Sequence, residues 1–71
     1  SPDGLLIPER IIGRAAALLR PGGLLVMEHD ISQGAALVAY AQAHGFNRAR
    51  TGRDWTARPR YLVARRDDYC A

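Results

Sequence analysis

The sequence predicts an α/β fold in which two helices and three strands follow one another in the order α-β-α-β-β around one small, mixed sheet. Three observations carry this. An apolar stripe at helical spacing stops at Arg20-Pro21-Gly22-Gly23 and is followed at once by the wholly apolar run Leu24-Leu25-Val26-Met27. A second helical pattern stops at Gly45-Phe46. Two β-like segments then close the chain across a short loop. The closing pair must be antiparallel, whereas the first strand lies a helix away from it, so a mixed sheet is expected.

Each element has its local cause. Pro2, Asp3 and Gly4 are turn formers entering a helix, and Pro8 is tolerated only in a first helical turn, where its missing N–H has no intrahelical partner to lose. Ile11, Ile12, Ala15, Leu18 and Leu19 then form one helical stripe, and Pro21 with the glycine pair ends it. The run at 24–27 is too short for a helix and apolar on both faces, as in strands buried between two layers. Ser32 is the expected N-cap of a helix reaching to about His44, with Gly45 as the residue that reverses the chain and Phe46 as its hydrophobic follower. Residues 47–53 alternate weakly between small and polar side chains, the pattern of an exposed edge strand, with Gly52 a candidate bulge. Residues 54–59 read as a loop, 60–65 as the last strand and 67–71 as a frayed tail.

Composition limits what the chain can be. With 71 residues it holds one domain at most, and a chain of this size buries only about 60% of its surface on folding. Hydrophobic residues make up 48% and charged residues 24%, which is globular composition and excludes a disordered tail. All ten basic residues are Arg, a bias expected of GC-rich coding. The net charge of +3 is therefore weak evidence for nucleic-acid binding, the more so because the arginines are spread over several segments. No apolar run approaches the roughly 18 residues of a membrane span, and no leader pattern precedes the first helix. Cys70 has no partner for an internal disulfide, which fits a reducing cytoplasm.

Asp3-Gly4-Leu5 before an amphipathic helix, the segment from Leu19 to His29, Gln33-Gly34, Gly45-Phe46, and Asp54 with Arg58-Pro59-Arg60 occur in that order. Together they resemble the end of the HemK-type release-factor glutamine methyltransferases. The Leu-Arg-Pro-Gly-Gly turn before a hydrophobic strand is common to class I methyltransferases at large. The Glu-His sequel and the later segments narrow the resemblance to this family. Three positions depart from its pattern: Asp30 and Ala57 stand where Gly is usual, and Pro8 falls in a helix start that is usually free of proline.

The resemblance implies the C-terminal part of a Rossmann-like domain, with residues 1–71 a single partial domain of two helices and three strands. It implies that the intact parent uses S-adenosylmethionine and modifies the glutamine of a release factor's Gly-Gly-Gln loop. The Gly-rich donor loop and the Asn-Pro-Pro-Tyr motif of the family do not occur here, since no G-x-G is present and Asn47 is not followed by Pro. This chain alone is expected to bind no cofactor and to be inactive. An unpaired strand edge and a bare apolar sheet face are expected to dock the missing N-terminal half or to drive self-association. Release factor is the implied partner, with neither nucleic acid nor membrane favoured.

Glu28 and His29 follow the buried run, and in open α/β sheets ligands gather at the C-terminal ends of strands. A carboxylate and an imidazole there suit acid-base work or a hydrogen bond to a substrate amide. The plainer reading has His29 bonded to backbone and Glu28 capping or paired with Arg60. Asp54, Arg58 and Arg60 read first as an ion-pair cluster bracing the last hairpin, and second as a protein contact. Trp55 and Tyr61 read as core or hairpin packing, and Gln33-Gly34 as first-turn helix chemistry. His29, His44 and Cys70 match no zinc spacing, so no metal is expected. Two other readings stay open at this stage: a freestanding, non-catalytic α/β interaction module, and a fragment of a nucleic-acid amino-methyltransferase.

Overall fold

The computed structural model describes residues 4–67. The entry turn before Gly4, the tail after Asp67 and Cys70 lie outside the described residues. The elements are α1 (Leu6–Leu18), β1 (Leu24–Glu28), a 3-10 turn (Ile31–Gln33), α2 (Gly34–Ala43), β2 (Phe46–Arg53) and β3 (Pro59–Arg66). The predicted order of helices and strands is observed.

Pairing corrects the expected mixed sheet. The strand order is β1-β3-β2, and β3 is antiparallel to both neighbours, with Val26 opposite Val63 and Thr51 opposite Leu62. The α2 crossover returns the chain so that β2 runs in the same direction as β1, one strand position away. The hairpin then folds β3 back into the gap. β1 and β2 are parallel to each other but never touch, so no parallel ladder forms among the described strands.

Both helices cover one face of this sheet. Ile12, Leu37, Ala41, Phe46, Leu62 and Ala64 are buried there, with Leu25, Met27, Val38 and Leu19 packed around them. The 24–27 run is therefore not covered on both sides, contrary to its wholly apolar reading. Leu25 and Met27 face the helices, while Leu24 and Val26 alternate onto the open face and are 53% and 57% exposed. Tyr61, opposite Glu28, is also exposed. The α1 stripe likewise divides, with Ile12, Ala15 and Leu19 turned to the core and Ile11 and Leu18 exposed. One helix lying on α2 and a narrow sheet can bury only the central line of a wide apolar stripe.

Helix ends show which sequence signals acted. Pro8 is the third residue of α1, within the turn whose N–H groups have no intrahelical acceptors. Gly45 has φ +94° and follows α2 as expected, and an added Cβ would lie 2.8 Å from the Arg66 guanidinium. β2 is an irregular edge strand. Its register shifts between Asn47 and Arg50, where Arg48 adopts φ +52°, and again between Gly52 and Arg53. Asp67, at the start of the expected frayed tail, accepts a hydrogen bond from Asn47 Nδ2 at 2.8 Å and donates its own N–H to the Gly45 carbonyl. No described helix is long and apolar enough to cross a membrane.

Candidate functional site

Because β1 and β2 run the same way, their C-terminal ends share one end of the sheet. That end carries Glu28, His29 and Asp30 after β1, and the loop from Asp54 to Arg58 after β2. Pleating sends the first two side chains in opposite directions. Glu28 stands on the open face with no hydrogen bond or ion pair among the described residues, because Arg60 turns to Asp54 instead (Nε to Oδ2, 3.4 Å). The expected Glu28–Arg60 pairing is not formed. A free carboxylate at this position can accept hydrogen bonds from an amide.

His29 points under the start of α2 and is 5% exposed. Its Nδ1 lies 2.7 Å from the Asp30 carbonyl oxygen. A carbonyl only accepts, so this geometry assigns the proton to Nδ1. The backbone bond is the one the plainer reading expected. Nε2 is then left buried with no partner among the described residues, at a cost of about 1–3 kcal/mol for such an atom. The ring fits only because residue 34 is Gly: an added Cβ would come within 2.8 Å of Thr51 Cγ2 and 3.3 Å of the imidazole Cε1. Gln33-Gly34 thus serves packing and capping.

The cap itself is Asp30, not Ser32. The Asp30 carboxylate accepts from the Ser32 N–H at 3.2 Å and hydroxyl at 2.5 Å, while Gln33 Oε1 accepts from the Asp30 N–H at 3.0 Å. Asp-x-x-Gln is a capping-box pattern, and a 3-10 turn ahead of α2 moved it two residues upstream of the expected cap. The same Gln33 ties this end to the α1 entrance through its Nε2, which donates to the Gly4 carbonyl at 3.0 Å. Hydrogen bonds from Ser32, side chain first and then backbone, hold the Asp30 carboxyl below its ordinary value.

In the β2–β3 loop, Asp54 Oδ1 accepts from the Thr56 hydroxyl, the Thr56 N–H and the Arg58 N–H at 2.6, 2.8 and 3.0 Å. Ala57 takes φ +64°, which accounts for the usual Gly there. Asp54 and Arg60 brace the hairpin. Arg58 joins through its backbone alone, and its exposed guanidinium has no partner among the described residues. Trp55 is not packed: it is 96% exposed at the loop tip.

The Thr56 hydroxyl first, then the Arg58 N–H, lower the Asp54 pKa from the ordinary 3.8. A carboxylate whose folded pKa is depressed stabilises the fold above its unfolded value, and that contribution disappears as pH falls through the folded value. The loop is therefore expected to loosen as pH drops below 3.8. In Asp54→Asn, which keeps an acceptor but cannot ionise, the pH dependence of the melting temperature on that acid limb should flatten. An acid limb as steep as the parent's would show that Asp54 contributes nothing to it.

One depression on the sheet does not fit a nucleotide-like cofactor. This open depression of about 270 Å³ is lined by Leu24, Arg48, Arg50, Val63, Ala64 and Arg65. It lies at the start of β1, away from the strand ends, and its charged lining is cationic, with no carboxylate for a ribose and no glycine cradle. Among the described residues no cluster of three or more His, Cys, Asp or Glu could hold a metal.

Comparison with known proteins gives a consistent answer. The chain is 67% identical over 64 residues to a release factor glutamine methyltransferase of Bifidobacterium longum, covering 90% of this chain and 22% of the relative. It is 41% identical over 66 residues to that of Mycobacterium leprae, covering 92% and 23%, and 43% identical over 63 residues to that of Xylella fastidiosa, covering 89% and 23%. The chain thus spans less than a quarter of the length of these curated relatives and corresponds to their C-terminal region. No family model matches it. No solved structure matches it either. Identity of this extent, over the segments that carry the Pro-Gly-Gly turn, the Glu-His strand end and the Asp54 loop, places the chain in the family of release factor glutamine methyltransferases.

Proposed function

We propose that the chain is the C-terminal part of a cytoplasmic enzyme that transfers a methyl group from S-adenosylmethionine to the glutamine of a release factor's Gly-Gly-Gln loop. The observation that carries this is the 67% identity over 64 residues to a relative bearing that name. Binding of the methyl donor belongs to the preceding part of the parent. This chain contributes the far side of the sheet and the substrate-proximal strand end. There Glu28 offers its unpaired carboxylate to the substrate, and His29 acts indirectly by holding the Asp30 carbonyl and the start of α2. The open face at Leu24 and Val26, the free edge of β1 and the exposed α1 residues Ile11 and Leu18 are where the rest of the parent packs. In the isolated chain those same surfaces favour self-association.

The test is a methylation assay with release factor and labelled donor. The intact parent should label the Gly-Gly-Gln glutamine, and the isolated 71-residue chain should give no incorporation. Failure of the intact protein to label a release factor, or turnover by the isolated chain, would contradict the proposal.

A further inference from the structure

Resting on that reading, we infer that the tip of the β2–β3 hairpin, Trp55 with Arg58, is a docking contact for the body of the protein substrate, away from the reacting glutamine. Trp55 is 96% exposed, and the loop presenting it is held by three hydrogen bonds to Asp54 Oδ1 and by the Asp54–Arg60 ion pair. The loop backbone that carries Trp55 is held in place, so binding has only the two side-chain torsions of the indole left to order, a small cost for so large a contact area. Trp and Arg are also the residue types that dominate interface energetics.

Position decides between two possible occupants. β1 and β2 are both edges of the sheet, but β2 is broken by two register shifts, which blunt an edge against further pairing, so the rest of the parent is assigned to the regular edge of β1. Trp55 follows β2, two strand spacings from β1, or about 10 Å. It therefore lies away from the edge that the rest of the parent would extend. It nevertheless shares the sheet end that carries Glu28, where a bound substrate would sit. A folded partner seated at that end covers the tip, whereas a Gly-Gly-Gln tripeptide, about 10 Å long when fully extended, barely spans the gap.

The experiment uses the intact parent carrying Trp55→Ala, Trp55→Phe or Arg58→Ala, with KM and kcat measured on whole release factor and on a short Gly-Gly-Gln peptide. Trp55→Ala should raise KM for the whole protein about tenfold or more, the loss typical of a central aromatic contact, with kcat nearly unchanged. Trp55→Phe should restore most of that affinity, and Arg58→Ala should give a smaller rise. KM for the peptide and the melting temperature should not move. An unchanged KM for release factor in Trp55→Ala would overturn the inference while leaving the proposed activity intact. A lowered melting temperature would also overturn it, by placing the parent's own chain on Trp55. A wild-type parent that labels no release factor would instead remove the activity on which the inference rests.

Discussion

Replacing Leu62 by Ala is expected to destabilise the protein by about 2–5 kcal/mol, the range for truncating a fully buried leucine, and to leave the isolated chain largely unfolded. Leu62 is 0% exposed and stands on the central strand, opposite Met27 on one side and Thr51 on the other. The cavity would open under both helices, and no neighbouring side chain is free to fill it without giving up its own contacts. A domain of this size has a total stability of only about 4–10 kcal/mol, so the loss is a large part of the whole. Val63 provides the control, because it is the next residue on the same strand and faces the open side. Val63→Ala should cost less than about 1 kcal/mol in the isolated chain, measured by urea unfolding. Equal effects at the two positions would mean that the helices do not cover the face to which they are assigned here.

The second large effect is expected at Arg66. Its Nε donates to the Ala16 carbonyl and its Nη1 to the Gly45 carbonyl, both at 2.8 Å, while its backbone bonds Gly22 and Gly23. One half-buried guanidinium thus joins the end of α1, the turn after α2 and the end of β3. The Ala16 carbonyl lies in the last turn of α1, where helical carbonyls have no partner of their own. Arg66→Ala should therefore cost about 2–4 kcal/mol, two charge-assisted bonds partly offset by water. That corresponds to a fall in melting temperature of roughly 8–30 °C. Arg66→Lys should recover only part of it, since an ammonium on a flexible stem cannot reproduce the planar fork. Arg65→Ala, which removes one exposed bond to the Gly22 carbonyl, should cost less than about 1 kcal/mol. A melting temperature for Arg66→Ala within a few degrees of wild type would show that the junction holds without it.

The candidate site was legible in part. The residues at the ends of β1 and β2 could be found, because a polar triplet directly after an apolar run and an Asp-containing loop are local patterns. Their roles could not, because side-chain direction depends on strand register and on what covers each face. Glu28 and His29 are neighbours in the chain, yet pleating sends one to the open face and the other beneath α2. Trp55 has the composition of a packing residue, and only the tertiary structure places it in solvent. Asp30 is the instructive case among the caps: the sequence holds both its Asp-x-x-Gln pattern and Ser32, and only the 3-10 turn ahead of α2 selects Asp30.

Sequence by itself determined the succession of elements, the stops at Pro21 and Gly45, the irregular edge strand and the membership of a family, all of which depend on short-range backbone preferences and on matching segments. Tertiary structure alone decided that β3 inserts between β1 and β2, that one sheet face stays open and that Arg66 joins three distant elements. Pairing and burial depend on residues far apart in the chain, and no local pattern records which surface another element will reach first.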